Sequence, residues 1–352
     1  MTSEIRLLIV GAGRMAQAHA KAFAAIPGVA IAGAVDPDRS AAAALTGTYG
    51  GEAFASVEEA LDAGYFHAAA NVTPDAVHHA TTLPLLRAGK HVLCEKPLAT
   101  SAAEAAEMAR LAAAAGVVHM VNLTYRRVPA LQQAAKMVAA GALGQVRHVE
   151  ASYLQSWLTQ DLWGDWRREP AWLWRLSSRH GSKGVLGDIG IHILDFAGFA
   201  AGDEIADVSC RLATFDKAPG GRIGDYVLDA NDSCTMLVGL AGGAIGTVTA
   251  TRFASGHIND LFLRIYGDKG GLEVAAVKGQ SRLRACLDPK LRAAEWVEVE
   301  APAVPDTFTR FIAAIRGETA ADPDFHRGAA LQRVLDRAEA SHAQGGRRMP
   351  VV

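Results

Sequence analysis

The chain has 352 residues, 50% of them hydrophobic and 20% charged, so it exceeds what one core usually holds and is too apolar to be disordered; two domains are expected. Lys and Arg number 35 against 37 Asp and Glu, which leaves no basic excess to recruit a nucleic acid or an anionic membrane and points to small-molecule ligands. Cys94, Cys210, Cys234 and Cys286 are far apart and form no C-x-x-C pair, the stretch Met1-Thr2-Ser3-Glu4-Ile5-Arg6 runs straight towards a strand, and no apolar run reaches the roughly 18 residues of a membrane span, so a soluble cytoplasmic protein without a zinc site or disulfides is expected.

Ile5 to Val10 is a short apolar run, followed by Gly11-Ala12-Gly13-Arg14-Met15-Ala16 and a helical stretch to Ile26. Strand, tight turn and helix in this order fit the G-x-G-x-x-G/A dinucleotide fingerprint. The first glycine permits the turn, the second lets backbone approach a pyrophosphate, and Ala16 keeps helix and strand close. The helix N-terminus offers unpaired N–H groups and a positive dipole end to the phosphates, with Arg14 and Met15 in its first turn. Val29 to Val35 is a second strand ending at Asp36, where a carboxylate would bond the adenosine ribose diol and repel a 2′-phosphate. That favours NAD, although Arg39 could instead pair with the 2′-phosphate of NADP. Ser56 to Asp62 reads as a short helix and Phe66 to Val72 as a third apolar run. Thr73-Pro74-Asp75 has the form of a helix start, with Thr73 as N-cap and Pro74 at the first helical position of an amphipathic helix reaching Ala88. It directs another helix N-terminus at the cofactor side, with His78 and His79 in its first turns.

His91 to Cys94 is a strand closed by Glu95-Lys96-Pro97. Proline pushes the residue before it out of helical geometry, so Lys96 is expected to be extended at the strand end, where ligands of open α/β sheets lie. Ser101 to Ala115 is an alanine-rich helix and Val117 to Asn122 another strand. This alternation implies a parallel, doubly wound sheet.

Past Tyr125 the pattern changes to a helix around Ala130 to Ala140 and longer strand-like segments: Gly144 to Gln155, Ala206 to Phe215, Asp232 to Leu240, Ala244 to Phe253, Asp260 to Gly267 and Gly271 to Val274. They predict a second, α+β domain with a large, open, mainly antiparallel sheet. A face of that sheet left uncovered by helices would suit a second subunit. Asp306 to Arg316 and Gly328 to Gln344 read as closing helices. The expected boundaries are 1–123 for the dinucleotide-binding domain and 124–352 for the substrate-binding and oligomerisation domain.

Within the second domain, Gly187-Asp188-Ile189-Gly190-Ile191-His192 and Asp195 have helical spacing, which predicts Asp188, His192 and Asp195 on one face of a buried helix. An Asp–His–Asp ladder could satisfy itself; the functional alternative is a carboxylate that orients and charges a histidine, which then moves a proton. Trp157, Trp163, Trp166, Trp172 and Trp174, five of the chain's six tryptophans, alternate with Arg167, Arg168, Arg175 and Arg179. Aromatic faces stack on sugars while arginines, Gln155 and Asp165 bond hydroxyls; a loop packing on itself or on another subunit through its tryptophans is the alternative.

Gly11-Ala12-Gly13, Thr73-Pro74 with His78, Gly89 through Pro97, Tyr125-Arg126, Leu143-Gly144 and the Gly187-to-His192 motif occur in the order found in the Gfo/Idh/MocA family of oxidoreductases, and the resemblance spans nearly the whole chain. It implies a Rossmann domain followed by an α/β domain whose open sheet is used in homodimers or homotetramers. It implies Lys96, Asp188 and His192 as the catalytic group. The candidates on the cofactor side are Gly11, Gly13, Arg14, Met15, Ala16, Asp36, Arg39, Thr73, Pro74, His78, Glu95 and Lys96. Ala16 departs from the family's usual third glycine. Tyr153-Leu154-Gln155 and Trp157 resemble members acting on inositols, anhydrosugars and aldoses, which implies a cyclic polyol or sugar held by Lys96, Tyr125, Gln155, Trp157, Trp174, Arg175, Asp188 and His192. The implied chemistry is reversible hydride transfer from a secondary carbinol to NAD, with no metal. His192 removes the hydroxyl proton, Asp188 holds and charges the imidazole, and Lys96 bonds the oxygen; Lys96 itself is the base if its surroundings lower its pKa. A tightly bound NAD recycled within sugar modification, and a non-catalytic NAD or sugar sensor, are the alternatives.

Overall fold

Short, largely apolar strands alternate with helices in the first unit. The computed structural model describes residues 4–351, so the expectation about Met1 to Ser3 ahead of the first strand lies outside the described residues. Strands β1 (Ile5–Val10), β2 (Val29–Val35), β3 (Glu52–Phe54), β4 (Ala68–Asn71), β5 (His91–Cys94) and β6 (His119–Val121) alternate with helices α1 (Arg14–Ala24), α2 (Arg39–Tyr49), α3 (Val57–Ala63), α4 (His78–Arg87) and α5 (Ala102–Ala115). The sheet is parallel throughout, in the order β3-β2-β1-β4-β5-β6. Leu7, Leu8, Ile9, Val92 and Leu93 are fully buried, as strands covered on both faces require. Ser56 and Ser101 start α3 and α5 by accepting from the N–H groups of Glu59 and Glu104. The strand order reverses between β1 and β4, so the loops after β1, β2, β4 and β5 share the carboxyl edge where such sheets bind ligands.

The second unit begins with α6 (Pro129–Ala139) and β7 (Val146–Gln155). After the single turn α7 (Pro170–Leu173) comes α8 (Ile191–Ala201), then β8 (Ile205–Ala213), β9 (Arg222–Ile223), β10 (Tyr226–Val227), β11 (Ser233–Leu240), β12 (Ile245–Thr251), β13 (Asn259–Gly267), β14 (Gly270–Val277), β15 (Gln280–Leu287) and β16 (Val297–Val299). The chain ends with α9 (Thr307–Ile315), α10 (Phe325–Ala343) and β17 (Met349–Pro350). A nine-stranded sheet runs β16-β15-β14-β13-β7-β12-β11-β8-β17. Only the pairing of β12 with β7 is parallel in it. Its strands alternate: Cys234, Met236, Val238, Val248 and Ala250 are buried, while Leu237 and Ile245 are 60% and 64% exposed. Helix α8 packs on β7, β12 and β13, and α6 on α8, β14 and β15.

The structure departs from these expectations in several places. The boundary after residue 123 lies one residue from the observed one, but residues 305–332, expected in the second domain, return to the first unit: Phe311 and Ile312 of α9 join its core. Residues 39–49 and 52–54, to which the sequence reading assigned no element, form α2 and β3, and the large sheet continues past Val274 into β15 and β16. The helix expected from Pro74 is broken: Asp75–Val77 forms a 3₁₀ turn, and α4 starts only at His78. Thr73 caps neither segment, because its hydroxyl donates to Asn71 Oδ1 at 2.7 Å.

Candidate functional site

In the first unit, the turn after β1 needs its glycines for different reasons. Gly11 has φ +99°, and a Cβ there would meet the Val72 carbonyl at 3.1 Å, so both conformation and space demand glycine. A Cβ on Gly13 would meet nothing within 4 Å, which leaves this residue, the N-cap of α1, open to an approaching ligand. Ala16 is fully buried against the sheet and Met15 is 48% exposed; Arg14 is exposed beside it. Asp36, at the end of β2, accepts from the Ala12 N–H at 2.9 Å through Oδ2 and from the Asp38 N–H at 2.9 Å through Oδ1. A carboxylate fixed against the glycine turn, next to an uncapped helix N-terminus, fits the ribose and pyrophosphate of a dinucleotide. Arg39 is turned elsewhere, onto the carboxylate of Glu59.

The loops after β4 and β5 carry the other cofactor-side residues. Asn71, buried at the end of β4, donates to Thr81 Oγ1 and Thr82 Oγ1 at 2.8 Å each and accepts from Thr73. Pro74 follows with extended backbone as the N-cap residue of the 3₁₀ turn. His78 is wholly buried, with its ring between the carbonyl oxygens of Thr73 and Pro97, so its side chain is not presented to a cofactor and the expectation for this residue is corrected. His79 bonds Glu107. Glu95 Oε1 accepts from His19 Nε2 at 2.9 Å and Asn122 Nδ2 at 2.7 Å, and Oε2 accepts from the Lys96 N–H at 3.1 Å. Burial alone would raise the Glu95 pKa; the His19 hydrogen bond and charge, Lys96 and Asn122 outweigh it and hold the carboxyl at about 2. A permanent anion therefore adjoins Lys96.

In the second unit, residues 186–190 form a π turn, closed by the Ile191 N–H onto the Leu186 carbonyl, and α8 begins after it. The i→i+5 bond breaks the regular spacing predicted from Asp188 to His192, and π turns of this kind recur at functional sites. Of the expected Asp–His–Asp stripe, Asp188 lies in the π turn and His192 and Asp195 on α8. Asp195 faces Arg126, whose Nε and Nη2 donate to its two oxygens at 2.6 and 2.8 Å in a buried, bidentate pair, with the guanidinium 3.7 Å from the Phe199 ring centre. Asp188 accepts from Arg252 Nη2 at 2.9 Å, and Arg175 Nε lies 3.9 Å away.

His192, 7% exposed, meets Tyr125 edge to face, with centroids 5.0 Å apart, and lies 6.5 Å from the Tyr153 ring. Tyr125 and Tyr153 share a hydroxyl-to-hydroxyl hydrogen bond. Asn259 closes a ring of bonds, accepting from Tyr153 and donating to Tyr125 at 2.6 Å each, and it also accepts from Gln155 Nε2 at 2.8 Å. Burial, Tyr125 and Asp188 push the Tyr153 phenol well above its ordinary pKa, so it stays protonated. A neutral hydroxyl network beside an imidazole, with a carboxylate held by arginine, is equipped to bond hydroxyls and move a proton.

The tryptophan segment mostly packs on itself. Trp157 and Trp166 are 2% and 1% exposed and form a core with Leu158, Leu173, Leu176 and Leu228. Trp157 stacks near Trp172, has the Arg252 guanidinium 4.9 Å from its ring centre, and donates its N–H to Gln155 Oε1 at 3.1 Å. Covered this way, its face is not presented to a sugar, which corrects the expectation for this residue: it holds Gln155 instead. Trp174 differs, being 38% exposed with Arg175 over its ring.

Arg252 and Asn259 were absent from the residues singled out as candidates, and Tyr153 was named only for the resemblance of its segment. Arg252 left a signal, since it has the same strand parity as the buried Val248 and Ala250 and its side chain is wholly buried. His19, Asn71 and Asn122 left none, because their partners are distant in sequence. Among the described residues no group of His, Cys, Asp and Glu could hold a metal ion, and no helix is long and apolar enough to cross a membrane.

Comparison with known proteins agrees with this layout. Residues 5–123 match the model of an oxidoreductase family with an NAD-binding Rossmann fold, and residues 131–273 the GFO/IDH/MocA C-terminal domain. A levoglucosan dehydrogenase of Pseudarthrobacter phenanthrenivorans is 30% identical over 291 residues, 75% of this chain and 72% of the relative. An inositol 2-dehydrogenase of Rhizobium meliloti is 26% identical over 270 residues, 76% of this chain and 74% of the relative. Among solved structures, a levoglucosan dehydrogenase in complex with NADH and L-sorbose superposes with a TM-score of 0.86 at 25% identity, covering all of both chains.

Proposed function

The chain belongs to the Gfo/Idh/MocA family of NAD-binding oxidoreductases, and from that premise we propose that it reversibly transfers a hydride between NAD(H) and a secondary alcohol of a cyclic polyol or sugar. The observation that carries this reading is the placing of Glu95 and Lys96 at the carboxyl end of β5, in the same parallel sheet whose β1 and β2 ends supply Gly11, Gly13 and Asp36. The chemistry that the dinucleotide supplies when bound is reversible acceptance of a hydride.

The chain's own residues do the rest. Asp36 bonds the ribose diol and rejects a 2′-phosphate; with Arg39 committed to Glu59, this supports a preference for NAD over NADP. The anionic Glu95 suits Lys96 to act as a cationic donor to the substrate oxygen rather than as the base. His192 takes the hydroxyl proton. Asp188, ion-paired with Arg252, remains a carboxylate that binds hydroxyl groups and favours positive charge on the imidazole. Trp174, Arg175, Gln155 and Tyr125 contribute sugar-facing polar and aromatic surface. The relatives' names support the sugar and polyol class, since they are levoglucosan and inositol dehydrogenases. The exposed parity of β11 and β12 supports a homodimer or homotetramer through the large sheet.

The test is a panel of inositols, aldoses and anhydrosugars assayed with NAD and with NADP for reduced dinucleotide. Accumulation with at least one cyclic polyol or sugar is expected. Failure with every member, while NAD binds normally, would overturn the substrate class.

A further inference from the structure

His78 is the first residue of α4 and is wholly buried. Its Nδ1 lies 2.8 Å from the carbonyl oxygen of Pro97, and its Nε2 lies 2.8 Å from that of Thr73. A backbone carbonyl only accepts, so both ring nitrogens have to donate. A neutral imidazole has one N–H and one lone pair, and would set that lone pair against an oxygen at hydrogen-bond distance; an imidazolium has both donors. In a buried site the neutral form would leave two acceptors facing each other with no water between them, and the unmet group would carry its full desolvation penalty.

The surroundings favour the cation. Burial by itself would lower the pKa, but Cys94 and Asp75, the titratable groups acting on the ring, together with the Pro97 carbonyl, outweigh it and raise it to about 10. The start of α4 opposes a positive charge, and the Asp75 carboxylate in the preceding 3₁₀ turn offsets this. The two carbonyls belong to the loops that leave the neighbouring strands β4 and β5, and Pro97 directly follows Lys96.

We propose that His78 is a standing imidazolium cation that ties the turn carrying Lys96 to the loop after β4, and so acts as a positioning residue for Lys96. The role in catalysis rests on the reading of Lys96 given above; the charge state does not.

Two measurements on the full-length protein test it. In ¹⁵N-histidine-labelled protein, with the His78 signal assigned by its loss in His78→Gln, both ring nitrogens should carry protons from below the ordinary histidine pKa of about 6.5 up to about pH 9. A single-proton, neutral ring at about pH 8 overturns the proposal, whatever the variant does. Glutamine supplies a donor to one carbonyl and an acceptor to the other, so His78→Gln should lower kcat about tenfold or more while the Kd for NAD stays within about threefold. Unchanged kcat in a folded His78→Gln protein overturns the positioning role. If Lys96→Met leaves turnover intact, the reading of Lys96 fails while the ring signals still report the charge, so the two failures are distinguishable.

Discussion

The chemistry proposed for this chain rests on a few residues whose neighbours are already in place. Lys96 adjoins a carboxylate that His19 and Asn122 keep ionised, so its replacement should remove a donor without disturbing the fold around it. Lys96→Met is expected to bind NAD normally while kcat falls about a hundredfold or more; near-normal turnover in a steady-state assay would count against the assignment. Asp36→Ala should narrow the gap between NAD and NADP in kcat/KM, since it removes the carboxylate that repels a 2′-phosphate and frees no cation in exchange, Arg39 being held by Glu59. A cofactor ratio equal to wild type would remove its ribose role. Glu95 also makes a prediction about acid. Its folded pKa of about 2 lies below the ordinary 4.5, so the stability it contributes is present above about pH 4.5 and fades as pH falls through about 2. The difference in denaturation midpoint between wild type and Glu95→Gln should shrink over that window.

At the scale of elements, helix α8 shows how far periodicity carries. The apolar residues Ile189, Ile191, Ile193, Leu194 and Phe196 made a buried helix legible, and residues 191–201 form one. The π turn at 186–190 was not legible, because an i→i+5 bond depends on local backbone packing and leaves no mark in apolar spacing. Nor could spacing reveal that Asp195 forms a buried pair with Arg126. Breaking that pair leaves a charge buried without its partner, so Arg126→Met should destabilise the protein by about 3–5 kcal/mol, whereas replacing both partners together should cost far less. A double-mutant cycle by chemical denaturation checks this; additive losses would show that the pair is not coupled. Helix α4 teaches the same lesson in reverse, since Thr73-Pro74-Asp75 had a good capping sequence, yet the Thr73 hydroxyl was drawn to Asn71 by the fold.

For the whole molecule, the division at residue 124 was legible as a change from alternating to strand-rich pattern, but the return of residues 305–332 to the first unit was not. Its cause is apolar burial: Phe311 and Ile312 join a core made by β1, β2 and α1, and a linear reading has no access to contacts separated by about 300 residues. The large sheet buries one parity of β11 and β12, and presents Leu237 and Ile245 on the other, where they are near neighbours across the pair. If this face joins subunits as proposed, Leu237→Asp combined with Ile245→Asp should reduce the sedimentation mass towards that of a monomer with the fold retained. An unchanged mass would place the subunit contact elsewhere.

Read alone, the amino-acid sequence determined the class of chemistry, because its signals are local: a glycine turn between an apolar strand and a helix, an acidic residue ending the next strand, and a lysine stopped before a proline at a strand end. Backbone sterics and hydrogen-bonding needs act over a few residues and so are written in consecutive letters. Only the tertiary structure decided which polar groups meet. It gave Asp188 to Arg252 and Asp195 to Arg126, turned Trp157 into support for Gln155, and set the His78 ring between two carbonyl oxygens. Those pairings arise because buried polar groups must find partners wherever the folded chain brings them, and the distance along the sequence has no part in that choice.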